Sequence, residues 1–255
     1  MYYPDVHYLE YTEDMITQYL LYITKTLGCS RVKCKMAAQS ISFFFRYVLK
    51  RPYAIPVLIY PRQSTKLPPV MSADEVKSLI DRMKNVKHRT IVMLLYSTGM
   101  RLSEICSLKI TDIDSKNMRI KVVQGKGAKD RFTLLSQQVL LELRAYYIIY
   151  RPKEYLFNGY RSGRPISLRN VQHLVHKGIE EMGLGSNKYT VHTIRHSFAT
   201  HLVDNGTDLH TVKELLGHSS LQTTARYLHL STTRIMQVIN PYDALSKVED
   251  NKQHH

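Results

Sequence analysis

Acidic residues are scarce in this chain. Its 255 residues set 21 Asp and Glu against 36 Lys and Arg, for a formal charge of +15. Such a surface would repel a cationic partner and suits a polyanion, most often nucleic acid, although basic charge can also serve only solubility. The surplus is not confined to a tail. Residues 1–70 alone carry nine basic and four acidic side chains, as fits a protein that wraps its partner. Cysteine is also rare: Cys29, Cys34 and Cys106 cannot all pair, and their spacing matches no zinc pattern. That argues against a disulfide scaffold and for a reduced, cytoplasmic setting. Long apolar runs are missing too. Ile91–Tyr96 is wholly apolar but far shorter than a membrane span. The opening MYYPDVHYLEYTED lacks the apolar core of a signal peptide. No internal repeat is visible, and the expectation is a soluble chain without membrane contact.

What is present reads as mainly α-helical. Residues 16–28 place Tyr19, Leu20, Ile23 and Leu27 on one face before Gly28, and AAQSISFFFRYVLK (37–50) is apolar enough to predict burial on most sides. Prolines at 52, 56, 61, 68 and 69 then mark an extended linker. The predicted organisation is a short helical domain over 1–55, a proline-rich linker over 56–70 and a larger domain over 71–255. The larger domain opens with SADE (72–75), a capping-box pattern, followed by a stripe of Val76, Leu79, Ile80 and Met83. RTIVMLLYS (89–97) predicts a core helix, and RLSEICSL (101–108) another with Leu102, Ile105 and Leu108 inward. MRIKVV (118–123) and RFTLL (131–135) flank a glycine-lysine tip and predict a small antiparallel β-hairpin. Helices are expected again at 136–149, 168–182, 192–204 and 208–216, then over a segment containing Tyr227, and last at 233–239.

Four scattered features could carry chemistry. In GMRLSE (99–104), Arg101 starts a helix one turn from Glu104, which taken alone is an ordinary i,i+3 pair. In QGKGAKDR (124–131), glycines and lysines make a cationic finger that alone is a solvated turn, and it lacks the glycine spacing of a Walker loop. In HTIRHSFATHL (192–202), His192 and Arg195 share a helix face while Ile194, Phe198 and Leu202 point into the core. His192 and His196 lie four apart, but Thr193 stands where a zinc peptidase carries its general-base glutamate, so no metal is expected. One of these histidines is expected to be a satisfied buried side chain. In LGHSSLQTTARYLHL (216–230), His218 follows a helix end and Tyr227 comes nine positions later. A single tyrosine there is ordinarily a core-edge residue.

Together these side chains are what phosphoryl transfer to a tyrosine needs. Two guanidiniums can grip the non-bridging oxygens of a phosphodiester, whose charge grows in the transition state. Histidine and lysine add donors and can protonate the leaving oxygen. A tyrosine hydroxyl, with a pKa of about 10, needs such cationic surroundings or a base before it attacks. With cations supplied by side chains, no cofactor is expected.

The segments TGMRLSEICSL (98–108), QGKGAKDR (124–131), HTIRHSFATHL (192–202) and ELLGHSSLQTTARYLHL (214–230) resemble the tyrosine recombinase, or phage integrase, family, especially its Xer-like bacterial members. The order and spacing agree over roughly residues 70–240. The resemblance implies that Arg101, Arg195, His192 and His218 hold the scissile phosphate, with Glu104 orienting them. It implies that Lys126 is the general acid for the departing 5′-oxygen. Tyr227 is then the nucleophile that forms a 3′-phosphotyrosyl link, and His192 is the candidate to take its proton. The partners it implies are double-stranded DNA, a homo-oligomer on DNA (a tetrameric synapse with the 233–239 helix exchanged) and a partner recombinase or accessory protein. Residence would be cytoplasmic and nucleoid-associated. The family's helical core-binding clamp is expected to be incomplete in residues 1–55. Two other readings stay open: a DNA-binding accessory protein of the same fold without catalysis, and a type IB topoisomerase-like relaxing enzyme. A zinc hydrolase built on the histidines is a further class.

Overall fold

In the larger part of the chain, a central apolar helix has well-capped helices packed around it. A computed structural model describes residues 5–52, 68–123, 130–160, 163–185 and 188–228. The chain divides into two compact units, Met1–Lys66 and Leu67–His255. The predicted proline-rich linker lies largely outside the described residues, as do Lys126 and the helix predicted at 233–239.

In the first unit, α1 (Glu13–Leu21) is capped by Thr12 and runs on into a wide π turn over Tyr22–Thr26. Helix α2 (Arg31–Phe43) is capped by Ser30 and continues into a second π turn, Phe44–Val48. Ile16, Leu20, Ile23, Cys34, Ala38 and Phe45 form their common core. The expected near-complete burial of residues 37–50 does not occur, because Phe43, Tyr47 and Val48 are each more than half exposed. With α1 as its principal packing partner in this unit, α2 covers one stripe, and aromatics beyond that stripe stay in solvent.

The second unit begins with α3 (Ala73–Arg82), whose capping box is complete: the Ser72 amide donates to Glu75 Oε2 at 2.7 Å and the Glu75 amide to Ser72 Oγ at 3.2 Å. Helix α4 (Val86–Thr98) is the centre of the fold, with Thr90, Ile91, Val92, Leu94, Leu95 and Thr98 all buried. Its two threonines return their hydroxyls to carbonyls one turn back, so they cost no unpaired polar group. The helix ends at Gly99, whose φ of +58° is left-handed and whose added Cβ would lie 2.3 Å from the Phe198 ring. Glycine therefore satisfies both the turn and the close approach of a neighbouring helix.

Helix α5 (Leu102–Ser107) leads to a three-stranded antiparallel sheet in the order β1 (Ile113–Asp114), β2 (Arg119–Val122), β3 (Arg131–Leu134). In β2, Ile120 and Val122 face the core while Arg119 and Lys121 face solvent. β1, a two-residue strand, is too short for its periodicity to show in sequence. Thr133 on β3 donates to the carbonyl of Thr98, tying the sheet to the end of α4 at 2.8 Å. Helices α6 (Gln137–Tyr150), α7 (Leu168–Glu181), α8 (Val191–Asp204), α9 (Leu209–Leu216) and α10 (Leu221–Ala225) follow among the described residues. α10 stops early: Tyr227 lies in the turn after it rather than two turns into a helix. Among the described residues no helix is long and apolar enough to cross a membrane.

Candidate active site

The site forms where the ends of α4 and α9 meet the starts of α5 and β3 and the first half of α8. Arg101 and Glu104 come from the start of α5, Arg131 from β3, Arg195 from α8 and His218 from just beyond α9. Arg101 is the residue before α5, and its amide and guanidinium both donate to Glu104, at 2.7 and 2.8 Å. Glu104 is buried, and its two oxygens also accept a bidentate pair from Arg131 at 2.9 and 2.8 Å. Arg195, buried on α8, donates to the carbonyl of Gly99 and, at 2.7 Å, to that of Leu216.

The three guanidiniums share a second task. Arg131 donates to Leu215 O at 2.9 Å, Arg195 to Leu216 O, and Arg101 to Gly217 O at 3.0 Å. These successive carbonyls are the orphaned acceptors at the end of α9, where the helix dipole is negative. The cations thus complete a helix terminus as they assemble the site. Gly217 is left-handed at φ +63°, and a Cβ there would meet Arg131 Cδ at 2.8 Å. No other residue meets both demands without strain.

One carboxylate against three guanidiniums leaves a surplus of positive charge. Burial, then repulsion from Arg101, lowers the pKa of Arg195 to about 10. Burial alone would raise the Glu104 carboxyl, but hydrogen bonds from Arg131 and Arg101 outweigh it and hold the pKa at about 2. Because this folded value lies below the ordinary 4.5, the stabilisation is present above pH 4.5 and is lost as pH falls from there toward 2. The gap corresponds to about 3 kcal/mol. Glu104→Gln is therefore expected to lower unfolding stability at pH 7 by roughly 3 kcal/mol and to flatten its acid dependence. Urea melts at pH 7 and pH 3 test this, and equal pH dependence in both proteins would refute it.

His218 follows Gly217 and receives an Arg195 N–H on Nε2 at 3.2 Å. Burial, then the charges of Arg195 and Arg101, lower its pKa to about 4, so it is neutral at pH 7. Neutral with Nε2 accepting, it carries its proton on Nδ1 and donates to Thr224 Oγ1 at 2.9 Å. Its ring stacks parallel to that of Tyr227, with centroids 6.4 Å apart. Tyr227 is 1% exposed and packs in a cluster with Phe198, Val212 and Leu216. Burial raises the pKa of its hydroxyl, with Arg195 and Arg226 pulling the other way.

The structure therefore brings together Arg101, Glu104, Arg195, His218 and Tyr227. His192 is exposed and lines an adjacent cavity of about 420 Å³ with Arg169, Gln172 and Tyr189. The partner of the Tyr227 hydroxyl is instead His196, whose Nδ1 lies 3.0 Å away. Lys126 lies outside the described residues. Two residues at the site carry no role in the sequence reading. Arg131 closes the QGKGAKDR segment, and His196 directly follows Arg195; an arginine and a histidine bordering two chemistry-bearing motifs were the available signals. Among the described residues no three His, Cys, Asp or Glu side chains form a group suited to hold a metal ion.

A second concave region, of about 820 Å³, lies at the other end of α4. Arg82, Lys84, Lys87, His88, His173 and Lys177 are among its lining residues. Burial, then the charges of Lys87 and Lys177, lower the pKa of His88 there.

The chain is similar in sequence and fold to known proteins. The sequence model of the phage integrase family matches residues 69–234. The chain is 38% identical over 236 residues to the integrase/recombinase candidate y4qK of Sinorhizobium fredii, covering 92% of this chain and 76% of that protein. It is 34% identical to the tyrosine recombinase XerC of Staphylococcus epidermidis, across 75% of this chain and 68% of the relative. A solved XerH site-specific recombinase, bound to its palindromic difH substrate after cleavage, matches with a TM-score of 0.76 at 25% identity. That match covers 92% of this chain and 74% of that one.

Proposed function

This chain belongs to the phage integrase family, the tyrosine recombinases, and from that membership we propose a role for each side chain at its site. The protein is a site-specific DNA recombinase, an enzyme that cleaves and rejoins DNA strands. Arg101 and Arg195 grip the non-bridging oxygens of the scissile phosphate, and Glu104 with Arg131 holds Arg101 at the required angle. Tyr227 attacks phosphorus through Oη, giving its proton to His192 and forming a 3′-phosphotyrosyl bond as the P–O5′ bond breaks. Lys126 protonates the departing 5′-oxygen. His192 and His218 add donors to the phosphate, and an arriving anion favours the protonated form of His218 that burial and its cationic neighbours now suppress. The ester energy stays in the covalent link, so a 5′-hydroxyl can reverse the step.

The observation that carries this reading is the belt of three guanidiniums and one buried carboxylate ending at His218 and Tyr227. A nicked duplex that loses its 5′ fragment on cleavage tests it. The protein is expected to become covalently attached to the 3′ end, and attachment through a different residue, or none, would overturn the assignment. The same assay separates catalysis from mere DNA binding, and strand-exchange products separate recombination from plasmid relaxation.

Residues 1–55 serve as a partial clamp on the duplex, 56–70 as the linker and 71–255 as the catalytic domain. The cationic region around Lys84 and Lys87 gives flanking phosphates further counter-charges. A nucleoid-associated, cytoplasmic location follows from the DNA substrate. On DNA, four protomers pair two duplexes, with residues 233–239 of one copy seated on the next. An apolar groove of about 380 Å³, lined by residues including Ile80, Met93, Val139 and Phe198, suits Ile235, Met236, Val238 and Ile239. Ser97 at this groove keeps a buried hydroxyl without a hydrogen-bond partner among the described residues. Ending the chain after Leu228 is expected to lower strand exchange at least ~10-fold, more than it lowers binding to a single site. Undiminished exchange would remove this role for the tail.

A further inference from the structure

Tyr227 is buried, and an attacking oxygen must come within about 3–3.5 Å of phosphorus. A phosphate on the backbone of a duplex cannot enter the apolar cluster that holds the ring. The hydroxyl therefore has to come out to meet it, and its polar tether inside is the side chain of His196. We propose that His196 is the positioning residue that latches Tyr227 in its resting place, and that this hydrogen bond opens before attack. The proposal rests on Tyr227 being the nucleophile and adds the step that precedes its use.

Three observations support a latch rather than a base. The first is geometric: the 3.0 Å bond joins two half-buried or buried side chains within a water-poor cluster, where losing a partner is costly. The second is placement. His196 sits on α8 directly after Arg195, so one rigid helix carries both the phosphate grip and the hold on the nucleophile. Arg195 in turn contacts Leu216 O and His218 Nε2, the start of the segment that ends in Tyr227. A phosphate that takes over the Arg195 guanidinium competes with these contacts and loosens that segment from one end. The bond to His196 then remains at the other end. The third concerns the proton. Burial, then the charge of Arg226, lowers the His196 pKa to about 4 while burial raises that of the hydroxyl, so the proton stays on tyrosine at rest.

Two readouts test this, one of them independent of activity. Nitration of Tyr227 by tetranitromethane, followed by peptide mass mapping without DNA, reports exposure of this ring. His196→Ala is expected to raise its nitration rate roughly 5- to 30-fold. The single-turnover rate of covalent capture on a nicked duplex is expected to rise by a similar factor. His196→Asn, whose amide can stand in for Nδ1, is expected to return both toward wild type. Unchanged nitration in His196→Ala would overturn the latch. So would a fall in capture rate at unchanged DNA affinity, which would make His196 part of the proton transfer instead. If His196→Ala does not fold, amide hydrogen exchange across residues 217–228 in Tyr227→Phe serves, because that variant removes the same bond from the other side. Faster exchange than wild type supports the proposal and equal exchange refutes it. A protein that captures no DNA at all but shows the nitration change would fail the functional assignment while keeping the latch.

Discussion

Tyr227→Phe is expected to lose covalent capture of DNA entirely, a fall of roughly 10⁴- to 10⁶-fold that places cleavage below detection. The substitution removes one oxygen and little else. The phenyl ring keeps its packing against Phe198, Val212 and Leu216, and every arginine at the site keeps its carbonyl and carboxylate partners. Stability should therefore change little beyond one lost hydrogen bond, and affinity for the duplex should stay within a few-fold of wild type. That contrast is the strength of the experiment. Unlike variants that disturb the phosphate grip, this one separates bond-making from binding. The measurement is a gel-shifted, denaturation-resistant adduct on a nicked duplex, set beside a binding titration at the same salt. An adduct that persists in the phenylalanine variant would point to another of the 18 tyrosines.

The sequence made much of this site legible, for a physical reason. Arg101, Glu104 and His218 lie within a few residues of the glycine turns at Gly99 and Gly217, and turn chemistry is local, while Arg195 sits in a strong helical pattern. Gly99 and Gly217 announce helix ends, and the residues beside helix ends are the ones whose side chains can meet. The apolar stripe of α3 and the inward set of α5 were equally readable because helical periodicity is a property of one segment. What stayed hidden depends on partners distant in sequence. Arg131 looks like the end of a solvated finger until β3 is placed beside α9, where it reaches Glu104 and Leu215 O across 27 and 84 positions. The role of His196 depends on a tyrosine 31 positions away. The exposed Phe43 and Tyr47 misled in the opposite direction, because an apolar pattern records what could be buried, not how many neighbours arrive to bury it. The early stop of α10 reflects a tertiary demand. The stacking with His218 and the hydroxyl bond to His196 fix Tyr227 in a turn that its own residues do not specify.

Arg195→Ala is expected to be the most damaging change to the phosphate grip. Loss of one preorganised donor at a developing charge ordinarily lowers the rate about 10²- to 10³-fold. Here the same guanidinium also joins the end of α4 to the end of α9, through Gly99 O and Leu216 O, and supports His218. Removing it leaves two buried carbonyls short of a donor and a void beside α8, so stability should fall by about 2–4 kcal/mol as well. Arg101 offers a useful contrast. Its side chain is 24% exposed, and Arg131 continues to neutralise Glu104 in its absence. Arg101→Ala should therefore slow cleavage without a comparable loss of stability. Arg195→Lys resolves the two roles of Arg195: an ammonium restores the charge but cannot span both carbonyls and a phosphate in one plane. It is expected to recover most of the DNA affinity and little of the cleavage rate. Cleavage within a few-fold of wild type in Arg195→Ala, or full rescue by lysine, would mean that the phosphate sits elsewhere. The belt of arginines would then be only the cap of α9.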